Sequence, residues 1–398
     1  MPLARLRKLA RYSFSVPWCV PQWGWSELAA TLSGSLPLRH DAPSSFAAKS
    51  AVLLGRRYAL PVARGRVAIE LGLRAMGVRQ GDDVVLPSYV SYSVLQAVGH
   101  TGARPVYADV GPALNVTVEA VLAALTPATR CVIVPHLFGA PAPIAELEAE
   151  LQHRGIPVLD DTAQALGASV AGRPVGSFGA CAIVTCGPAK PLAGTGCGAL
   201  LTDDAALFER AAALAPNPLT PWPGSRRRVL RCWIRQRFRR LTLPARKVLN
   251  RFWLSLHDDD SADYRVAGAS ELEARIALVQ LGRLKETIAE RRGHASRMLA
   301  ALGWLAQCNV VEVGPETAAT QLALVLPEAG PSVPQLIGAL AAGGVESQGG
   351  YRPCHYRFAG GIEGGLDYTE RVWRRVLCIP LETGLPNPAR LSAALARL

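Results

Sequence analysis

The chain has 398 residues, of which 49% are hydrophobic and 19% are charged. This composition excludes an intrinsically disordered protein and is ample for the cores of two or three domains. The net charge of +12 is uneven, since eleven Lys or Arg and no acidic residue lie between Arg226 and Arg251. Because the excess charge is local, nucleic-acid binding is disfavoured as the main role.

The cysteines and the N-terminus favour a cytoplasmic protein. Nine cysteines are present, an odd number, without a Cys-x-x-Cys pair or a Cys/His spacing typical of zinc. We therefore expect small buried side chains in a reducing compartment, and no metal site. No apolar run reaches the ~20 residues that span a bilayer, and Ser, Pro and Gln interrupt the segment after the basic N-terminus.

Apolar segments alternate with helical segments between residues 60 and 205. The predicted strands are DDVVLP (82–87), RPVYADV (104–110), RCVIVPHLF (130–138), IPVLDD (156–161), GACAIVTC (179–186) and GALLTDD (198–204). The predicted helices are RVAIELGLRAMGV (66–78), YSVLQAVGHTG (92–102), TVEAVLAAL (117–125) and PIAELEAELQHRG (143–155). Wholly apolar strands between helices predict an α/β fold with a mostly parallel sheet covered on both faces.

The C-terminal third predicts a smaller α+β domain. A helical stripe covers 270–302, followed by strands near 309–313 and 320–326 and by helices at 333–343 and 388–397. The chain is accordingly divided into an N-terminal segment (1–44), a large α/β domain (45–215), a basic insert (216–263), and a long helix with the small domain (264–398).

Two adjacent carboxylates, Asp160 and Asp161, end one predicted strand. Ligands of parallel sheets lie at the carboxyl ends of strands, although an Asp at this place also caps helices. Pyridoxal phosphate requires such a buried carboxylate, because the negative charge keeps its pyridine nitrogen protonated. The doublet is therefore a candidate cofactor contact, with helix capping as the alternative.

Lys190 is the only charged residue of GPAKPLAGTGCGAL (187–200). Pyridoxal phosphate also requires a lysine for covalent attachment, and this setting favours that role over a lysine whose stem packs in the core. A helix predicted to begin at Gly65 and Arg66 offers an anion site for the phosphate, since a helix N-terminus favours negative charge.

The order and spacing of these blocks resemble the DegT-type aminotransferases, fold-type I pyridoxal-phosphate enzymes that act mostly on nucleotide-linked keto-sugars. The resemblance covers roughly 45–210 and 264–398. It is carried by GRVAIELGLRAMGVRQGDDVVLPSY, TGARPVYADV, VIVPHLFGAPAPI, GIPVLDDTAQALGASVAGRPVGSFG, GPAKPLAGTGCGALLT, SELEARIALVQLGRL and YRPCH.

The resemblance implies a role for each matching residue. Asp161 pairs with the pyridine nitrogen, and Lys190 binds the cofactor covalently and then acts as general base and acid. The remaining implied positions are Gly65, Arg66 and Thr185 at the phosphate, Gln164 at the ring, and Tyr351 and His355 at the substrate entrance. The usual ring-stacking aromatic has no direct match, and only Tyr89 or Tyr92 could supply it, of which Tyr92 is the candidate. The resemblance further implies a homodimer. The expected reaction transfers the amino group of an amino acid, with glutamate as the expected donor, to a nucleotide-linked keto-sugar. The product would serve polysaccharide, glycolipid or secondary-metabolite biosynthesis.

The sequence departs from the family pattern at two places. Val90-Ser91 replaces the usual Thr-aromatic pair, and DYRVAGASE lacks the Asn that usually precedes the long helix. These departures motivate an alternative, a catalytically degraded homologue that serves as a membrane-surface or assembly protein. Dehydration is disfavoured, because dehydrating members have His where this chain has Lys190. We hypothesise that Arg66 replaces the lost phosphate contact with a charged donor.

The basic insert contains a candidate amphipathic helix within 225–254. Apolar residues at 230, 233, 234, 238 and 241 fall on one helical face among Arg and Lys. This pattern suits a helix on an anionic membrane surface, which predicts a peripheral location on the inner membrane face. A helix packed on its own protein or on a partner subunit is the main alternative, and binding of a nucleotide diphosphate or nucleic acid is a third.

Overall fold

The computed structural model describes residues 23–34, 41–215, 224–237, 266–301 and 307–381. Its strands are β1 (Tyr58–Val62), β2 (Asp83–Pro87), β3 (Arg104–Ala108), β4 (Thr129–Pro135), β5 (Val158–Asp161), β6 (Ser169–Val170), β7 (Arg173–Pro174), β8 (Cys181–Gly187), β9 (Leu192–Ala193), β10 (Gly198–Thr202), β11 (Asn309–Val310), β12 (Gln321–Val325), β13 (Gln348–Gly349) and β14 (Val376–Pro380).

The helices follow the same chain order. They are α1 (Trp25–Gly34), α2 (Ala42–Leu54), α3 (Gly65–Ala75), α4 (Tyr92–Thr101), α5 (Val118–Ala123), α6 (Ile144–Gln152), α7 (Ala205–Leu214), α8 (Ser225–Arg237), α9 (Glu271–Gly282), α10 (Leu284–Ala301), α11 (Val333–Ala342) and α12 (Asp367–Val372). No helix within the described ranges is both long and apolar enough to cross a membrane.

The central sheet has the strand order β1-β10-β8-β5-β4-β2-β3, with β9 paired to β8. The five strands from β8 to β3 are parallel, and β10 and β1 extend the sheet in antiparallel pairing. The predicted mostly parallel sheet is confirmed. Parallel strands direct their carboxyl ends to one edge, and this edge therefore collects the ends of β4, β5 and β8.

Helices cover both faces of this sheet because successive strand residues point in opposite directions. In β2, Val84 and Leu86 join a core with α3 and α4, while Val85 joins a separate core with α5 and α6. Thr117, the first residue of the segment predicted as a helix, caps α5, since its side chain accepts a hydrogen bond from the Ala120 amide.

The smaller sheet is antiparallel, in the order β11-β12-β14-β13. The chain between β13 and β14 returns to the large sheet. There the Cys354 amide donates to the Ser88 carbonyl at 2.8 Å, and the Tyr107 amide donates to the Gly361 carbonyl at 2.8 Å. The predicted helix at 388–397 lies outside the described residues. The return segment brings the small domain against the carboxyl edge of the large sheet.

The single helix predicted over 270–302 is wrong, because the structure has two helices that meet at Arg283. Gly282 precedes the break, and glycine is a poor helix former. At the break, Arg283 Nη1 lies 3.1 Å from Oε1 of the buried Glu27 carboxylate of α1. The helical pattern alone could not indicate this contact with a distant part of the chain.

The described part of the basic insert is a helix packed on its own protein. Val229 and Cys232 of α8 are buried with Trp23, Leu272 and Ile276. The Trp233 ring lies edge-on to the Trp23 ring, with centroids 5.3 Å apart. Leu230 remains 60% exposed. The predicted helix is present, but its apolar face is only partly as predicted: Val229 and Cys232 are the buried side chains, Trp233 is partly buried, and Leu230 faces outward.

Candidate active site

One cavity at the carboxyl edge of the large sheet brings together six of the residues singled out in the sequence. Its wall includes Gly65, Arg66, Asp161, Gln164, Thr185 and Lys190. The carboxylate at 161 and the amine at 190 therefore open into the same space, although 29 positions separate them in the chain.

Asp161 is the buried acid of this cavity, with 4% of its surface exposed. Burial raises the pKa of its carboxyl above the ordinary value, and Lys190, the Ala163 amide and His136 oppose that rise. The Ala163 amide donates to its Oδ1 at 2.9 Å. A cation placed beside this carboxylate stabilises its ionised form, because burial leaves the negative charge poorly screened by water.

The neighbouring Asp160 points to the opposite face of β5 and is fully buried. Its Oδ1 accepts from His136 Nε2 at 2.8 Å, and its Oδ2 accepts from the Gly176 amide at 2.6 Å and the Phe178 amide at 3.3 Å. The Ala142 amide donates to His136 Nδ1 at 2.8 Å, which fixes the tautomer with its proton on Nε2. Asp160 thus holds the backbone at Gly176 and Phe178, and the His136 ring, against the end of β5.

The N-terminus of α3, predicted to bind the phosphate, lies in the wall of the cavity. The Gly65 amide donates to Thr185 Oγ1 at 3.1 Å, and a Cβ at position 65 would lie 3.0 Å from the Thr185 Cβ. Arg66 is 95% buried, and its Nη1 lies 3.5 Å from Gln96 Oε1. A helix dipole, a hydroxyl and a guanidinium therefore converge where little water can compete for an anion.

Gln164 is fixed at both ends of its amide. Its Oε1 accepts from the Phe138 amide at 3.1 Å, and its Nε2 donates to the Tyr351 hydroxyl at 3.0 Å. The Tyr351 ring in turn packs on the rings of Phe138 and Tyr89. Tyr351 therefore reaches the cavity through Gln164, and it is not itself part of the cavity wall.

Two other predicted residues lie outside the cavity. Tyr92, predicted to contact the ring, starts α4 and is 37% exposed, with the Arg357 guanidinium 5.0 Å from its ring centroid. His355 is held between Ser88 Oγ at 2.7 Å and Glu370 Oε1 at 2.8 Å. Within the described chain the structure does not bring Tyr92 to the cofactor cavity. The part of the wall next to it consists of Val90, Ser91, Ser93 and Val94.

Several residues of the wall were missed by the sequence reasoning. His136 follows β4 at the same edge as Asp161, so its position after an apolar strand was an available signal. Arg64 precedes the predicted helix, and its Nη1 donates to the Thr195 carbonyl at 3.1 Å. No local pattern indicates this contact. Within the described residues no group of three or more His, Cys, Asp or Glu side chains is arranged to hold a metal.

Residues 27–389 match the model of the DegT/DnrJ/EryC1/StrS aminotransferase family. The chain belongs to this family. It is 36% identical over 164 residues to the UDP-N-acetyl-3-dehydro-alpha-D-glucosamine 3-aminotransferase of Acidithiobacillus ferrooxidans, across 41% of this chain and 44% of that protein. It is 36% identical over 154 residues to the L-glutamine:2-deoxy-scyllo-inosose aminotransferase of Streptomyces kanamyceticus, across 38% of this chain and 36% of that protein.

The chain thus spans less than half the length of these two curated relatives. Among solved structures, the aminotransferase TlmJ from Streptoalloteichus hindustanus is 26% identical and superposes with a TM-score of 0.76, covering 95% of this chain and 98% of that one. This likeness confirms the predicted fold class of the DegT-type enzymes.

Aminotransferases of this family use pyridoxal 5′-phosphate. The cavity fits that group chemically. It combines one buried carboxylate, one lysine amine, and a helix N-terminus beside a hydroxyl and a buried guanidinium. These are the groups that a pyridine nitrogen, an aldehyde and a phosphate require.

Proposed function

We propose that this protein is a pyridoxal-phosphate aminotransferase that moves an amino group from an amino acid to a keto-sugar. The observation that carries the proposal is the shared cavity of Asp161 and Lys190 at the carboxyl edge of the sheet. Family membership supports the reaction class.

The six wall residues singled out in the sequence each have a place in this reaction. Asp161 holds the ring nitrogen, Gln164 lies at the ring, and Gly65, Thr185 and Arg66 hold the phosphate. When bound, the cofactor supplies an electron sink for the carbanion that forms on the amino donor. Asp161 sustains that sink, because its buried negative charge favours the protonated nitrogen.

Lys190 performs the proton transfers. Its amine is the group that would hold the cofactor covalently, through the cofactor's aldehyde. The free amine then removes the proton from the donor α-carbon and delivers it to the C4′ atom of the cofactor, as general base and then general acid. With the acceptor ketone, Lys190 would move a proton along the same path in the opposite direction.

We propose a nucleotide-linked keto-sugar as acceptor and glutamate as donor, for polysaccharide, glycolipid or secondary-metabolite biosynthesis. One relative acts on a UDP-linked dehydro-sugar, and another on an inosose with glutamine as donor. Both acceptors are ring ketones, which is the chemistry shared with our proposal. Tyr351 and His355 are proposed at the substrate entrance, Tyr351 through its bond to Gln164.

The function is tested by following the visible absorbance of the purified protein. We expect a coloured protein that bleaches on addition of glutamate, releases 2-oxoglutarate, and regains its colour with a suitable keto-sugar. Glutamine is the matched alternative donor. Lys190→Ala is expected to be inert in every step. A colourless protein that ignores added cofactor would favour the catalytically degraded homologue instead.

The assembly and location are proposed together. Fold-type I sites usually form between two subunits, so we propose a cytoplasmic homodimer. The burial of Val229 and Cys232 supports an insert packed on its own protein. Membrane binding then depends on Leu230 and on 238–254, which lies outside the described residues. Co-sedimentation with vesicles tests it: pelleting only with anionic lipid supports a peripheral location, and equal, negligible pelleting with neutral and anionic vesicles contradicts it.

A further inference from the structure

The insert helix α8 contributes a buried cation next to the segment that carries Lys190. Arg228 is 92% buried and Glu273 of α9 is 98% buried. They form a two-pronged ion pair, with Arg228 Nε donating to Glu273 Oε1 at 2.8 Å and Nη2 donating to Oε2 at 2.9 Å. The planar fork allows essentially one mutual orientation of the two side chains.

The Glu273 carboxylate also supports a loop of the large domain. Thr195 Oγ1 donates to its Oε1 at 3.2 Å, and Ser270 Oγ donates to its Oε2 at 2.9 Å. A Cβ at Gly196 would lie only 2.7 Å from the same Oε1. The backbone of this loop therefore rests directly on the carboxylate, whose position Arg228 fixes.

This loop is the continuation of the Lys190 segment. The chain turns after β8, where the Lys190 amide donates to the Gly187 carbonyl at 3.2 Å, and the Gly194 amide donates to the same carbonyl at 3.3 Å. The Cys197 amide then donates to the Ala63 carbonyl at 2.9 Å, two residues before Gly65. The loop thus joins the lysine to the chain that leads into the N-terminus of α3.

Two further contacts hold the same loop from outside the large domain. Trp23 Nε1 donates to the Ala193 carbonyl at 2.8 Å, and Trp23 also packs on Trp233 of α8. Arg291 Nη2 donates to the Lys190 carbonyl at 3.2 Å. The insert is therefore connected to the loop in two ways. Arg228 reaches it through Glu273, and Trp233 reaches it through Trp23. None of these four residues is part of the cavity wall.

We propose that Arg228 and Glu273 are positioning residues that fix the Lys190 loop, which makes the insert helix part of the catalytic apparatus. The inference rests on the proposed function, since it assigns Lys190 to the cofactor. A buried ion pair adds little net stability compared with an apolar pair of the same size. The contacts of this pair with Thr195 and Gly196 give it a structural purpose that stability alone does not.

The test compares the affinities of two forms of the cofactor. Lys190 bonds covalently to pyridoxal phosphate but not to pyridoxamine phosphate, so a displaced lysine weakens only the first. In Arg228→Met/Glu273→Met, we expect about a tenfold loss of pyridoxal-phosphate affinity, roughly 1.4 kcal/mol, and less than a twofold change for pyridoxamine phosphate. Arg228→Lys keeps the charge without the fork, shows the same direction, and replaces the double variant if that protein does not fold.

Arg227→Met is the matched control, because Arg227 is an exposed cation on the same helix. We expect it to match the unsubstituted protein with both ligands. Equal losses for the two ligands would overturn the inference by indicating a structural role alone, and so would unchanged affinities. Failure of the unsubstituted protein to bind pyridoxal phosphate would overturn the proposed function, and this inference with it.

Discussion

Asp160 and Asp161 are chemically identical neighbours with different tasks, and the alternation of the strand separates them. Asp161 faces the cavity, whereas Asp160 faces His136 and two backbone amides. The sequence places a carboxylate at this edge, but it leaves open which one serves the cofactor. The resemblance selects Asp161, and the direction of each side chain agrees with that choice.

Asp161→Asn is expected to stabilise the cofactor-free protein while weakening cofactor binding. Burial raises the pKa of Asp161 above the ordinary value of 3.8. As pH rises from 3.8 through the raised pKa, the folded protein binds more protons than the unfolded chain, so its stability falls and stays lower above that window. The variant lacks this loss, and at neutral pH its cofactor-free form is expected to melt higher than the unsubstituted protein.

Thermal melting from pH 3 to 8, with and without pyridoxal phosphate, measures both effects. The advantage of the variant should vanish below the ordinary pKa, and the cofactor should raise the melting temperature of the unsubstituted protein more than that of the variant. A variant that melts lower at neutral pH, or gains as much from the cofactor, would contradict the assigned role of Asp161.

Arg66→Met is expected to weaken binding of pyridoxal phosphate by roughly 10- to 150-fold, which corresponds to the ~1.5–3 kcal/mol of a hydrogen bond to a charged group. Pyridoxal, which lacks the phosphate, should bind equally well to both proteins. Arg74→Met serves as control, since Arg74 lies on the same helix and pairs with Glu70 at 2.9 Å. If the variant weakens both ligands alike, Arg66 does not act on the phosphate.

At the scale of elements, Asp160 ties the chain after the β6–β7 hairpin to the end of β5. Asp160→Asn replaces one acceptor oxygen with an amide donor that faces either the His136 proton or two backbone amides. We expect a loss of roughly 1–3 kcal/mol in the free energy of unfolding, with cofactor colour retained. Urea unfolding and absorbance of one sample check both parts, and loss of colour at unchanged stability would contradict them.

The alternation of strands and helices in the large sheet was predictable in part, because apolar periodicity indicates burial, whereas β1, β14 and the helices α2 and α7 were not predicted. The strands from β2 to β5 and the cap at Thr117 follow from local residues alone. The break at Arg283 and the outward position of Tyr92 do not, because both depend on contacts with distant chain: Glu27 for the first and Arg357 for the second. Sequence patterns indicate that a helix has a buried face, but they do not identify its neighbour, and in α8 the neighbours Trp23 and Ile276 bury Val229 and Cys232 instead of Leu230.

At the scale of the whole molecule, three segments far apart in the sequence converge behind the active site. Trp23, Trp233 of the insert and Ile276 of α9 share one core. The sequence reasoning treated the N-terminal segment and the insert as separate from the large domain. Both instead contact the loop that carries Lys190, through Trp23 and through the ion pair of Arg228 with Glu273.

The central claim is that one lysine holds the cofactor opposite Asp161. It is tested by treating the protein with pyridoxal phosphate, reducing it with borohydride, and locating the modified peptide by mass spectrometry. The account predicts a phosphopyridoxyl group on the peptide that contains Lys190 and none in Lys190→Ala. An unlabelled Lys190, or the same label on another lysine with activity retained in the variant, would contradict it.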